Sequence, residues 1–322
     1  MNDSNPIHIA LCADEGFALP MGVCLTSLLE NNQENNLHIH ILTAGFSKST
    51  IEKINQTGTI YGREIDIHLI DDEMFSGHPL SSSFPKSIYF RYLLPSVLDN
   101  QVKKVIYIDC DTVVLRDISA LFAQDIDNFA IGAVPDANTD DIIERNRIEI
   151  YDGPYLNSGV LLINLEYWRK ENVFRQLTEF ILKYPEKCLW PDQDALNVIL
   201  HNKIKWLKFN YNFQLALIAP VDSYRMHADL QQEVIRAFPE ICILHFSSWS
   251  KPWVVESNLP LSFIWRFYHN LSVWRNIPLK SRGFRYRIKL KLGLVKPDFK
   301  EWLNPSFSTT MTILKEKFAQ NS

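Results

Sequence analysis

Several absences narrow this chain before any motif is considered. Its five cysteines (Cys12, Cys24, Cys110, Cys188, Cys242) are odd in number, scattered, and contain no CxxC pair. That excludes a disulfide framework or a cysteine-zinc site and points to a reducing compartment. No apolar run approaches the ~18 residues of a membrane span. The opening MNDSNPIHIALCAD has no basic segment ahead of an apolar one, so no signal peptide is expected. The net charge of −4 is too mild to make nucleic acid the partner of the whole surface. The 322 residues are 46% hydrophobic, enough for a sizeable core in one large domain with an appendage or in two modest ones. A cytoplasmic protein is the reading these features share.

The first two-thirds alternates strand-like and helix-like segments. Apolar runs of strand length occur at Ile7–Cys12, His38–Thr43, Ile65–Ile70, Val105–Ile108, Phe129–Val134 and Val160–Leu165. Helical spacing appears at Ala18–Asn31, Lys48–Gln56 and Ser87–Leu98. This rhythm predicts an α/β fold with a mostly parallel central sheet. Ligands of such sheets bind beyond the carboxyl ends of the strands. The segments ending in Asp14, Asp111 and Asp136 are therefore expected to converge on one crevice, although an aspartate after a strand can equally be a turn residue or a cap. His8, His38 and His40 alternate with isoleucines and read as strand-face residues without chemistry.

The run VIYIDCDTVVL (Val105–Leu115) carries the sharpest signal. Residues i and i+2 of a strand share a face, so Asp109 and Asp111 would project together and Cys110 away. Two ionised carboxylates so close call for a positive charge between them or a proton on one. A hard divalent cation, Mg²⁺ or Mn²⁺, suits oxygen donors. DCDTV also fits the pattern of haloacid-dehalogenase-type phosphatases, with a nucleophilic first aspartate. That motif usually closes the first strand of its domain, whereas several strands precede it here. His245 follows the apolar run Ile241–Leu244 and would stand at another strand end, where one imidazole beside two carboxylates suits Mn²⁺; a lone histidine there could equally be a cap or core residue. In WPDQDALN (Trp190–Asn197), Asp192 could cap a helix.

Past Leu261 the composition turns aromatic and basic. Lys280, Arg282, Arg285, Arg287, Lys289 and Lys291 form a run without an acid. A helical tail of this kind suits an anionic membrane surface, at roughly 1 kcal/mol per cation; the alternative is a solvated helix packed on the core. No nucleic-acid motif accompanies it.

Six blocks in this order, ALCADEGF, SIYFRYLLP, VIYIDCDTVVL, PYLNSGVLLINLEYW, WPDQDALN and ILHFSSWSKPW, closely resemble the retaining glycosyltransferases of family 8. The likeness runs from about Ile7 to Trp253 and is nearest to bacterial lipopolysaccharide galactosyl- and glucosyltransferases. It implies a GT-A nucleotide-diphospho-sugar transferase fold over residues 1–255, followed by the helical basic region 256–322. It also implies transfer of galactose or glucose from a UDP-sugar donor to a saccharide acceptor of lipopolysaccharide or lipooligosaccharide core, with Mn²⁺ (or Mg²⁺) as cofactor. A lipid-linked acceptor would place the chain peripherally on the cytoplasmic face of the inner membrane. A nucleotide-sugar-binding protein without turnover is the non-enzymatic alternative.

By the resemblance, Cys12, Asp14, Gly16 and Phe17 match the segment that holds uracil and ribose. Gly16-Phe17 stands where the family usually has Asn-Tyr, keeping the ring for stacking and losing the hydroxyl. Arg91 matches a helix arginine near the donor. Asp109, Asp111 and His245 match the metal ligands, Lys251 the lysine on the diphosphate, and Ser248 replaces a glycine beside it. Asp136, Asn157 and Asp192 match positions that hold sugar hydroxyls. Gln193, with Asp192 the candidate catalytic pair, matches the amide near the anomeric carbon on its β side. An amide is a poorer nucleophile than a carboxylate, which favours a front-face reaction over a covalent enzyme intermediate. Gly159 reads as structural, allowing a tight turn or a close backbone approach.

Overall fold

The computed structural model describes residues 6–80, 85–218, 226–247, 249–292 and 307–319. Ten strands are present among them: β1 (Ile7–Cys12), β2 (Leu37–Thr43), β3 (Glu64–Leu69), β4 (Lys104–Ile108), β5 (Thr112–Val114), β6 (Ile131–Pro135), β7 (Leu156–Asn164), β8 (Ile204–Trp206), β9 (Phe213–Gln214) and β10 (Ile243–His245). The main sheet has the order β3-β2-β1-β4-β7-β6-β8. Only β7 runs against its neighbours β4 and β6; the other pairings are parallel. The predicted α/β fold with a mostly parallel sheet is therefore the fold observed.

The period-2 pattern of the strands divides the core in two. Ile9, Leu11, Ile39 and Ile41 face α1 (Ala18–Glu30) and α2 (Lys48–Tyr61), whose buried residues complete that layer. Ala10, Cys12, Leu42 and Tyr107 face the opposite layer, built from Lys86–Leu93 and the helices Val173–Lys183 and Pro191–Leu200. The predicted helix at Ser87–Leu98 is instead a 3₁₀ stretch, Lys86–Leu93, that becomes α-helical only over Leu94–Val97.

Strand order reverses between β1 and β4, and both strands end at the same crevice. Cys12 closes β1 and Asp109 follows β4 there, the expected place for a ligand in an open α/β sheet. A second sheet, β5-β10-β9, closes the far side of that crevice.

The region past residue 255 does two different things. The helix Ser262–Leu271 packs on α1 and buries Ile264, Trp265 and Tyr268. Trp274 lies flat on Gly22, where an added Cβ would meet the indole at 2.1 Å, so the approach needs glycine. Phe307, Met311 and Phe318 join the same core. Each large apolar side chain buried this way contributes roughly 1.5–3 kcal/mol, more than a cation gains at a membrane surface. The helix Phe284–Lys291, by contrast, buries nothing. No helix of the described residues is long and apolar enough to cross a membrane.

Candidate active site

The two aspartates converge through a turn rather than along a strand. β4 ends at Ile108, and Asp109-Cys110-Asp111 links it to β5, correcting the strand-face expectation. Backbone hydrogen bonds pin this turn: Asp109 N–H donates to the Gly159 carbonyl (2.8 Å) and Phe246 N–H to the Asp111 carbonyl (2.9 Å). Thr112 Oγ1 donates to the Asp109 carbonyl (2.8 Å). Cys110 turns inward onto the Cys12 carbonyl. β10 then brings in the third group, because its antiparallel register sets His245 opposite Thr112. One donor atom from each of Asp109, Asp111 and His245 lies within 4.8 Å of the other two.

Each aspartate already has a cationic partner. Asp109 Oδ1 accepts from Arg91 Nη2 (2.9 Å) and from the Tyr107 hydroxyl (2.5 Å). Asp111 Oδ2 accepts from Lys251 Nζ (2.6 Å). Burial opposes ionisation of Asp111, but Lys251 and His245 outweigh it and hold the carboxyl well below the usual range. Asp109 moves the other way, because burial and the Asp111 charge exceed the pull of Arg91.

The tautomer of His245 follows from a chain of hydrogen bonds that begins at a backbone amide. Gly159 N–H can only donate, so Asn157 Oδ1 is an acceptor (3.1 Å). Asn212 Nδ2 donates to the same oxygen (2.8 Å), which leaves Asn212 Oδ1 to accept from His245 Nδ1–H (2.9 Å). Nε2 then faces Asp111 Oδ1 at 3.2 Å, a gap bridged either by a proton or by a cation that both atoms coordinate. Two carboxylates and one imidazole are a donor set that fits a divalent cation such as Mn²⁺.

The opposite side of the same cleft, whose volume is about 620 Å³, is a network around Asp136. Asp136 Oδ2 accepts from Asn157 Nδ2 (2.8 Å) and, at 3.5 Å, from Gln193 Nε2. Burial raises the Asp136 carboxyl above its ordinary range against these bonds. Gln193 Oε1 accepts from Ser158 N–H (2.9 Å). Asp192 does not cap its helix: its Oδ2 takes Ser158 Oγ (3.0 Å) and Arg91 Nη1 (3.1 Å). The Trp190 N–H at the helix start is taken by Asp194 instead. A register shift between β6 and β7, where Ala133 faces Leu161 but Val134 faces Asn157, turns Asn157–Gly159 into the cleft.

Arg91 is buried beneath the site, bridging Asp109, Asp192 and the Ser158 carbonyl while stacking on Tyr107. Cys12 and Phe17 line the cleft, and Phe17 packs edge-on against Trp253. Asp14 caps the 3₁₀ turn Glu15–Phe17 by accepting from Phe17 N–H, and Gly16 sits in that turn. Ser248 lies outside the described residues. Sequence reasoning missed four contributors. Tyr107 was within reach, near the end of β4 and two residues before Asp109. Asn212, fully buried, carries no local signal. Trp190 and Trp249 stand 5.9 Å apart at the rim, and the latter is 73% exposed.

Comparison with known proteins places the fold and the family. The model of the family "Glycosyl transferase family 8" matches residues 8–256. General stress protein A of Bacillus subtilis is 30% identical over 282 residues, 86% of this chain and 98% of that protein. Lipopolysaccharide 1,2-glucosyltransferase of Escherichia coli is 28% identical across 90% of this chain and 86% of its own length. The crystal structure of the galactosyltransferase LgtC with donor and acceptor sugar analogues superposes with a TM-score of 0.76. It is 24% identical, over 88% of this chain and all of that one. The chain belongs to glycosyltransferase family 8. Membership of this family, with the Asp109–Asp111 turn placed after the fourth strand, removes the phosphatase reading.

Proposed function

We propose that the protein is a metal-dependent, retaining hexosyltransferase that moves galactose or glucose from UDP to a saccharide acceptor, with residues 1–255 carrying the catalysis. The observation that carries this reading is the clustering of Asp109, Asp111 and His245 beside Lys251 at the crevice between β1 and β4. A cation held by those three residues would supply Lewis-acid neutralisation of the charge gathering on the diphosphate. Lys251 shares that charge once the nucleotide draws its ammonium from Asp111. Cys12, Asp14, Gly16 and Phe17 hold the nucleoside. Asp136, Asn157 and Asp192 orient the hexose hydroxyls.

Neither candidate nucleophile is poised for covalent catalysis. The Gln193 oxygen is neutral and occupied by Ser158 N–H, and the Asp192 carboxylate is tied to Arg91 and Ser158. This supports a front-face reaction through an oxocarbenium-like sugar. The bond from the anomeric carbon to the β-phosphate oxygen breaks, the bond to the acceptor oxygen forms on the same face, and the acceptor proton passes to the departing phosphate. Gln193 then serves as a dipole under the β face.

The acceptor is a lipopolysaccharide or lipooligosaccharide core sugar, by likeness to the Escherichia coli glucosyltransferase and to the Salmonella typhimurium lipopolysaccharide 1,3-galactosyltransferase. A lipid-linked acceptor suits a cytoplasmic enzyme whose exposed Phe284–Lys291 helix meets anionic lipid. Its cations alternate with apolar residues and so spread around the helix, which makes the contact electrostatic rather than that of a one-sided amphipathic helix.

The test is UDP release from UDP-galactose, UDP-glucose and their N-acetyl forms, with Mn²⁺ and with chelator. Metal-dependent release from one donor is expected. UDP binding without release under any acceptor would leave a nucleotide-sugar-binding protein.

A further inference from the structure

The histidines that the sequence presents as inert strand-face residues meet on one patch of the sheet. β1, β2 and β3 are parallel and in register, pairing His8 with His38, His40 with Asp66, and Leu42 with His68. His8, His38, His40, Asp66 and His68 therefore share the face opposite the isoleucines, on the outer edge of the main sheet. The patch runs from the amino ends of β1 and β2 to the carboxyl end of β3: His8 is four residues, roughly 13 Å, before Cys12, and His68 is level with Cys12 but two strands, about 9–10 Å, away.

We propose that His40, Asp66 and His68 form a second cation site, distinct from the cleft and suited to a borderline transition cation such as Zn²⁺, with His38 holding Asp66 from behind. Tetrahedral zinc with bonds of about 2.0–2.2 Å places neighbouring donor atoms roughly 3.3 Å apart. His40 Nδ1 lies 3.1 Å from His68 Nε2 and 3.8 Å from Asp66 Oδ2, while His38 Nε2 lies 2.8 Å from that oxygen. One donor atom each from His40, Asp66 and His68 falls within 4.8 Å of the others.

The outer partners suit the same role. His8 Nδ1 is 2.9 Å from His40 Nε2. A proton on Nε2 donated to His8 leaves Nδ1 as a lone pair directed at the site, the usual way a second-shell acceptor fixes a ligating imidazole. His8 thus orients His40 without binding the ion itself. The rings of His8, His38, His40 and His68 lie within about 5 Å of a neighbouring ring, and such rings would repel one another if protonated. Neutral imidazoles are what a metal requires. Asp66 is 44% exposed and gives the ion an entry path.

The chemistry separates the two sites. Two imidazoles and one carboxylate favour Zn²⁺, Ni²⁺ or Cu²⁺ over Mn²⁺ and Mg²⁺, whereas the carboxylate-rich cleft favours the harder ions. Because the ligands come from β2 and β3, an ion would staple the edge strand to the sheet.

The experiment uses the full chain without a polyhistidine tag. Zinc bound per chain is measured by equilibrium dialysis in excess Mg²⁺, with Co²⁺ as a spectroscopic probe, in the wild type, in Asp66→Asn/His68→Gln, and in Asp111→Asn. The expected result is one tightly held zinc in the wild type and in Asp111→Asn, with affinity at least ~10–100-fold weaker in the edge-strand double variant. Histidine ring NMR of the wild type with zinc gives a reading that needs no variant: the signals of His40 and His68 should shift together. Loss of zinc in Asp111→Asn with retention in the double variant would assign the ion to the cleft and overturn the proposal. Absence of tight binding to the wild type, or ring signals unmoved by zinc, would do the same.

Discussion

His245 donates its Nδ1–H to Asn212 Oδ1 across 2.9 Å, and Asn212 is wholly buried. The bond fixes which imidazole nitrogen meets the aspartates, so Asn212 sets the basicity and aim of a ligand it sits behind. Replacing Asn212 with Ala should raise the Mn²⁺ concentration for half-maximal UDP release by roughly 10–100-fold. Turnover at saturating Mn²⁺ should change far less. A metal titration of activity separates the two quantities, and an unchanged Mn²⁺ requirement would remove Asn212 from the site.

Gly159 tests the same geometry from the other side. A Cβ there would lie 2.1 Å from His245 Cε1 and 2.6 Å from Nδ1, in a strand packed too closely to give way. Gly159→Ala should displace the imidazole and abolish Mn²⁺ activation, with a destabilisation of roughly 1–3 kcal/mol. Denaturant melts with and without Mn²⁺ give both readings; wild-type metal activation in this variant would refute the close approach.

The fold and the site differ in how far they can be read from sequence. Strand alternation in β1, β2 and β4 fixes which residues face which layer, so the α/β architecture is legible from local pattern alone. The ligands stand at strand ends, where Asp111 and His245 are already conspicuous as polar residues beside apolar runs. The turn that joins Asp109 to Asp111 is set by bonds to Gly159 and Phe246, distant in sequence, and a period-2 argument cannot see it. Arg91 shows the same limit: its residue type suggests a donor-facing cation, yet its burial beneath Asp109 and Asp192 makes it the post on which both carboxylates are hung. Asn212 and the histidine patch depend wholly on tertiary register.

Lys251 offsets the charge of Asp111 when no other cation is present. Lys251→Met should therefore lower the melting temperature in chelator more than in Mn²⁺, because a bound ion takes over the same task. UDP release at saturating Mn²⁺ should fall by roughly 10²–10³-fold through the lost stabilisation of the diphosphate. Differential scanning calorimetry in both conditions, beside the release assay, checks the two effects; equal destabilisation with and without metal would argue against a shared role.

Trp249 and Trp190 pair at the cleft mouth with ring centroids 5.9 Å apart, and most of the Trp249 surface meets solvent. Large aromatic faces at the entrance suit the apolar face of a hexose acceptor. Trp249→Ala should raise the acceptor KM roughly 3–10-fold, equivalent to about 0.5–1.5 kcal/mol. Hydrolysis of the donor in the absence of acceptor should not change. A rise in donor KM instead would place the indole on the nucleotide side.

Glu256 ties the base of the basic helix to the catalytic body. Its carboxylate accepts from Arg287 Nε (2.8 Å), Ser281 Oγ (2.6 Å) and Arg282 N–H (2.9 Å), and these bonds, the Arg287 one foremost, lower it to about 2. A carboxyl depressed on folding stabilises the tether fully above the ordinary glutamate range near 4.5 and loses that contribution as pH falls toward 2. Hydrogen exchange over Phe284–Lys291 should therefore stay constant from neutral pH to about 5, once corrected for intrinsic rates, and protection should fall below it. Glu256→Gln should show the low-pH exchange pattern already at pH 7. If the freed helix is the part that meets anionic lipid, the same variant should bind phosphatidylglycerol vesicles at least as well as the wild type, and binding should decline with salt. Truncation at Leu279 should abolish it. Vesicle binding that survives the truncation would move the membrane contact elsewhere on the molecule.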